Sequence, residues 1–129
     1  MALGTIASDT IQDGAGNSTA TTNCIKGSAK AWVSYNGVTQ TIGASFNISS
    51  ITRNAAGFYT LNFTIAMPSV NYATQVTGSN ISADGRLGSV DNTYVTNGQS
   101  TTQVGIATQN PSTGTRIDVS VIGVSIFSV

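Results

Sequence analysis

Nucleophilic and acid–base chemistry draws on a short list of side chains, and this chain holds few of them. Its 129 residues include no histidine, no glutamate and one cysteine, Cys24. Without histidine the Ser-His and Cys-His pairs that activate a nucleophile cannot form, and the commonest metal ligand is missing. The acids are Asp9, Asp13, Asp84, Asp91 and Asp118. A glycosidase would need two of them as a working pair, yet all five sit in turn-rich or strand contexts that explain them without catalysis. The stretch Asp13-Gly14-Ala15-Gly16-Asn17 lacks the further acids and closing Glu of a calcium loop and reads as a plain turn. The chain is therefore expected to be non-enzymatic, with no catalytic residue, metal site or cofactor. Cys24 reads as a small buried apolar residue, with an interchain bridge as the alternative.

Binding chemistry is the next possibility. Exposed aromatics beside amide side chains can hold sugar, and Trp32, Tyr35, Tyr59, Tyr72 and Tyr94 are the candidates, with Tyr72 and Tyr94 singled out for glycan contact. Set against that, these rings lie inside strand patterns and read as core or subunit contacts. Four Asn-X-Ser/Thr sequons, at Asn17, Asn47, Asn62 and Asn80, are about what chance gives in a chain so rich in Asn, Ser and Thr. Nucleic acid is excluded as a partner, because Lys26, Lys30, Arg53, Arg86 and Arg116 are scattered and balanced by the five Asp, whereas phosphate binding needs clustered cations. A formally neutral surface gives copies little reason to repel one another, which favours an oligomer.

The elements that would position any site follow from composition and period. Charged residues are only 8% of the chain, so Thr, Ser and Asn must supply the solvated surface; with Gly they favour strands and turns over helices. From Lys30 onward apolar residues alternate with polar ones, the mark of half-buried strands. Ala31, Val33 and Tyr35 face away from Trp32 and Ser34 before an Asn36-Gly37 turn. Phe46 and Ile48 alternate, and Ile51 breaks the phase at an expected Ser49-Ser50 bulge. Tyr59, Leu61, Phe63 and Ile65 form the cleanest alternation, ended by Met67-Pro68. Tyr72 to Thr77, Thr93 to Thr96 and Thr102 to Thr108 read as further strands, with turn-rich Ser79 to Gly88, Asn97 to Ser100 and Asn110 to Gly114 between. Ile117 to Ile126 is apolar in both phases, which implies a bulge at Val121-Ile122 or burial on both faces. The expectation is an all-β fold, a single β-sandwich or jelly-roll-like domain of seven to eight antiparallel strands.

Residues 1–25 differ. They are small and polar, with no aromatic, and read as an extended leader ahead of a head domain at 26–129. Leu3, Ile6 and Ile11 are too widely spaced to build a core but could anchor an extended segment on another protein. The start of the chain lacks a signal-peptide pattern, and Val119 to Val129 is too short to span a bilayer. The expectation is a cytoplasmically made product with no membrane insertion.

Three phrases in order, KAWVSYNG (Lys30 to Gly37), ASFNISSIT (Ala44 to Thr52) and YTLNFTIAMPSVNY (Tyr59 to Tyr72), resemble a module of phage and prophage tail-fibre proteins. The likeness is specific over Lys30 to Ser79 and looser to the end of the chain, where Ile117 to Phe127 is similar to the family's closing strand. It implies a structural role without catalytic residues: a homotrimeric virion component, as a short fibre, fibre tip or capsid decoration, in contact with other virion proteins and contributing to host adsorption. The competing expectation is a lectin-like adhesion module that recognises host surface glycan.

Overall fold

The computed structural model describes residues 4, 7–80 and 83–128, with the side chains at 80 and 83–87 left aside. The fold is all-β. Strands β1 (Thr10–Gln12) and β2 (Ser18–Ala20) make a hairpin, followed by a two-turn helix α1 (Thr21–Gly27). Eight more strands follow: β3 (Ala31–Asn36), β4 (Thr41–Phe46), β5 (Ile48–Ala55), β6 (Phe58–Phe63), β7 (Ala73–Asn80), β8 (Ala83–Val90), β9 (Gln103–Gln109) and β10 (Val121–Phe127). They hydrogen-bond antiparallel in the order β4-β3-β10-β7-β8-β9-β6-β5.

That order folds back on itself to make a sandwich. Ala31, Val33 and Tyr35 of β3 and Ile122, Val124 and Ile126 of β10 pack into one core with Tyr59, Leu61 and Phe63 of β6 and Val104 and Ile106 of β9. The rings of Tyr35 and Tyr59 meet edge to face at 5.5 Å across the layers, a geometry that aligns ring edge with ring face. One side of the sandwich is closed by backbone. The β8 strand pairs with β7 through Ala83 to Leu87 and with β9 through Leu87 to Val90, so it passes from one layer to the other. Gly88 stands at that crossing, where a Cβ would strike the backbone of Val76. Strands β7, β8 and β9 are successive neighbours and β10 returns beside β7, which is Greek-key order.

Strand β3 obeys the period that predicts it. In β3 burial alternates residue by residue, with Trp32 and Ser34 outward, and the register shift between Ile48 and Ser50 is the expected bulge. Gly114, at φ 69°, closes the Asn110 turn by donating to the Asn110 carbonyl (2.8 Å).

Several readings need correction. Phe46 and Ile48 belong to different strands, because Asn47 takes φ 56° and turns the chain from one layer to the other. The alternation through Ile65 outlives its strand: β6 ends at Phe63, and Ile65 is 72% exposed. The stretch expected to be a turn between Ser79 and Gly88 holds the end of β7 and most of β8, which pair antiparallel. Residues 93–96 form a loop into a 3-10 turn at Thr96–Gly98. At Asn36-Gly37 the positive φ falls instead on Gln40, while the Asn36 side chain accepts from Val38 and Thr39 N–H. Ile117 and Val119 precede β10, so its two phases reflect a strand end, not a bulge or two buried faces. Within β10 only the even-numbered residues Ile122, Val124 and Ile126 are buried.

The described part of the N-terminal segment holds a hairpin and a helix where an extended leader was expected. Asp13 accepts from Ala15 N–H, Asn17 N–H and the Asn17 side-chain amide, and so builds the turn. No residue from 7 to 27 is buried, and Cys24 is exposed on α1, which corrects its reading as a core residue. Leu3 and Ile6 lie outside the described residues; Ile11 is half exposed.

The inward face of β6 sets a stability test. Leu61→Ala removes a side chain with no exposed surface and is expected to cost about 2 to 5 kcal/mol. Thr60 faces outward yet is buried beneath Asn54, whose amide donates to its hydroxyl at 2.8 Å, so Thr60→Ala is expected to cost about 1 kcal/mol. Denaturant melts of the two variants would show this ratio, and equal losses would contradict the face assignment.

Candidate functional site

The polar chemistry concentrates in one knot on Ile117 to Val119. Asp118 accepts from Arg53 Nε (3.0 Å) and Nη2 (2.6 Å), from Gly57 N–H (2.9 Å) and from the Tyr59 hydroxyl (2.5 Å). Ile117 exchanges bonds with Thr108 of β9, and the Val119 carbonyl accepts from Gly37 N–H. Three consecutive residues thus hold β9, the β5–β6 turn and the β3–β4 turn together. Gly37 and Gly57 are glycine because a Cβ at either would meet the knot: the Tyr59 hydroxyl and Val119 carbonyl at Gly37, the Thr108 carbonyl and Ile117 backbone at Gly57.

Burial alone pushes the Asp118 carboxyl up. The Arg53 guanidinium, the Gly57 N–H and the Tyr59 hydroxyl outweigh it and hold the group below the usual carboxylate range. Burial, followed by the bond to Asp118, pushes the Tyr59 phenol well above its ordinary range. The donors to Asp118 are the fold's own, so the knot has a structural explanation. Among the described residues no three acids or cysteines gather to hold a metal, and no helix is long and apolar enough to cross a membrane.

Of the candidate tyrosines, Tyr35 and Tyr59 meet in the core, whereas Tyr72 and Tyr94, the two singled out for glycan contact, pack on different rings. Tyr72 is 7% exposed, its ring packs edge to face on Phe63, and its hydroxyl donates to the Ser100 and Gln103 carbonyls. That corrects its reading as a glycan contact, because neither ring face nor hydroxyl is on offer. Burial pushes its phenol up to about 12. Tyr94 is 49% exposed and packs on Phe58, at the other end of β6. Arg116 lies over the same Phe58 ring at 5.1 Å and pairs with Asp91 at 3.2 Å.

The surface that lacks an internal explanation lies on the other side of the sandwich, at β4 and β5. All six residues of β4 are exposed, and the strand pairs only with β3. At its end, Phe46, Ile65, Met67 and Pro68 line an apolar cleft of about 470 Å³ with Lys30 at its rim. Asn47 builds this corner: its side-chain amide donates to the Lys30 and Ile65 carbonyls (both 3.1 Å), and its Oδ1 accepts from Ile65 N–H (2.7 Å). Ile65 is thereby fixed outward although it is apolar. Trp32, 39% exposed, stands opposite Phe46 across β3–β4 and extends the apolar surface. Sequence reasoning missed this cleft, since Ile65 continued a core alternation; the one signal for it was the Met67-Pro68 break directly after Ile65.

No family model, curated protein or solved structure matches the chain.

Two pH limits follow from the buried groups. Asp118 is depressed in the folded state, so its contribution is complete above the unfolded carboxyl value of about 4 and is lost as pH falls through the folded value. Tyr72 is raised, so its contribution is complete below the unfolded phenol value of about 10 and is lost as pH rises towards the folded value of about 12. Melts across pH are expected to show both flanks. Tyr59→Phe, which removes a bond to a charged acceptor, is expected to cost about 1.5 to 3 kcal/mol and to weaken the acid flank; a flank unchanged by the substitution would contradict the role of the knot.

Proposed function

We propose that this chain is a non-enzymatic structural subunit of a bacteriophage particle, a short fibre, fibre tip or capsid decoration, that assembles as a homotrimer and contacts other virion proteins. The observation that carries the assembly reading is the uncovered apolar corner of Trp32, Phe46 and Ile65 beside the free β4 edge. A contiguous apolar patch on a strand edge marks a surface that another protein covers. The phage context is supported by the tail-fibre phrases in Lys30 to Tyr72. These same phrases contain Trp32, Phe46, Asn47 and Ile65, so the residues that carry the resemblance also build the corner.

A docking role for the N-terminal segment is supported by its lack of burial. A seven-residue helix and a hairpin of two three-residue strands are each marginal in water without packing, and here none of their residues is buried. A surface on another virion protein would supply that packing, with Ile11 and the exposed Ile25 as apolar contacts. Contribution to host adsorption belongs to the same reading. The runner-up, recognition of host surface glycan, is favoured by one observation, the half-exposed Tyr94 ring packed edge to face on Phe58 beside Arg116.

Immunogold labelling of purified particles is expected to decorate head or tail; unlabelled particles would overturn the virion assignment. Deleting residues 1–27 is expected to leave a folded, oligomeric β protein by circular dichroism and light scattering, and to reduce incorporation into particles at least tenfold. Normal incorporation would refute the docking role. Hits on a glycan array that vanish with Tyr94→Ala would favour the runner-up instead.

A further inference from the structure

We propose that the outward face of β3 and β10 binds a neutral saccharide, with one sugar ring stacked on Trp32 and the next seated against Ser34. This site rests on the glycan reading and moves its ligand from Tyr94 to the β3–β10 face, independently of the virion assignment. Trp32 is 39% exposed, and the alternation of β3 sends it and Ser34 to the same side. Trp32 pairs with Ser125 of β10, which pairs in turn with Gln75 of β7, and Ser34 pairs with Gly123. Side chains opposite one another on one face of paired strands are neighbours. The indole therefore has a hydroxyl and, one strand further, an amide along one flank, with a second hydroxyl about 7 Å along its own strand.

Beside Ser34 the face is hollow. The register shift opposite Ser34 and Tyr35 leaves Gly43 as the extra residue of β4, and a hollow of about 120 Å³ opens between Ser34, Asn36, Thr41 and Gly43. That is small beside the roughly 300–1,000 Å³ of a site that encloses its ligand; it suits the hydroxyl-bearing edge of one ring. The Asn36 Oδ1 accepts from Val38 and Thr39 N–H, which leaves its NH2 group as a donor. Ser34, Ser125 and Gln75 make no side-chain hydrogen bond among the described residues. The side chains of Asn47, Asn54 and Thr108, by contrast, are engaged by the fold itself.

Charge decides the class of ligand. Strands β4, β3, β10 and β7 are successive neighbours, and none of TIGASF, AWVSYN, VIGVSIF and ATQVTGSN holds a charged residue, although the chain has five cations and five acids. A phosphate or a sialic acid would find no cation on these strands to offset its desolvation, whereas a neutral saccharide needs none. A sugar ring presents an apolar C–H face, which an indole covers, and a rim of hydroxyls that donate and accept, which Ser, Asn and Gln side chains match. An apolar protein surface laid on the same face would leave those polar groups unpaired.

Trp32 is the only tryptophan, so intrinsic fluorescence reads this site alone. The full chain is screened on an array of neutral and sialylated oligosaccharides, and each hit is titrated free in solution with tryptophan emission as the readout. Neutral members are expected to bind and change the emission. Trp32→Ala is expected to weaken array binding at least tenfold, and Trp32→Tyr, which keeps an aromatic face, to retain most of it. Tyr94→Ala is expected to change nothing. If Trp32→Ala fails to fold by circular dichroism, Ser34→Val and Gln75→Ala, both at exposed positions, carry the test with an expected loss of at least threefold each. Neutral binding that survives Trp32→Ala would overturn this site, and its loss with Tyr94→Ala would leave the glycan reading standing there. Binding confined to sialylated members would overturn the neutral class, and no hit at all would overturn both readings. A Trp32 that acrylamide fails to quench in the native protein would identify the ring as an assembly contact and overturn the site.

Discussion

The fold depends on what happens at residues 117–119, where a carboxylate is taken partly out of water and surrounded by donors. A lone Asp there would be costly, because a desolvated charge without partners destabilises the folded state. Asp118 escapes that cost because Arg53, Gly57 and Tyr59 converge on it, and each comes from β5, β6 or the turn between them. The adjacent Val119 carbonyl binds Gly37 at the tip of β3. Both layers are thereby fastened at one end, with Tyr35 and Tyr59 in contact beneath the fastening.

That arrangement explains why the sandwich is asymmetric. On one side β8 crosses between the layers and its backbone bonds close the gap. On the other, only Asn47 joins β4 to β5, and every residue of β4 is exposed. An edge strand normally carries something that discourages partners. Here the strand is uncharged, carries one bulge opposite Ser34 and Tyr35, and ends in an apolar cleft.

The surface composition fits this division. With so few charges, solubility rests on hydroxyl and amide groups, which hydrate well but repel nothing. Many of those groups also do local structural work: Asn36 and Asp13 cap turns, Asn47 clamps a corner, and Asn54 covers Thr60. The abundance of Asn and Thr therefore has a conformational explanation that needs no ligand.

Strands β3, β6 and β9 were legible in the sequence, and the buried face was legible at β3 and β6, because period-2 alternation is a local property; in β9 both faces are buried. The Asp13 and Asn110 turns were legible for the same reason, since short polar side chains bond to their own backbone. The cleft, the fate of Ile65 and the hidden Tyr72 were not, and nor was β8, whose Gly and Ser content imitates a loop. These depend on which strands become neighbours: a strand end at Phe63 turns a core-phase isoleucine outward, and the Ser100 to Gln103 backbone covers a tyrosine 28 to 31 residues earlier in the chain. Local sequence determined the strands; pairing over long sequence separations decided which of their side chains the protein shows to others.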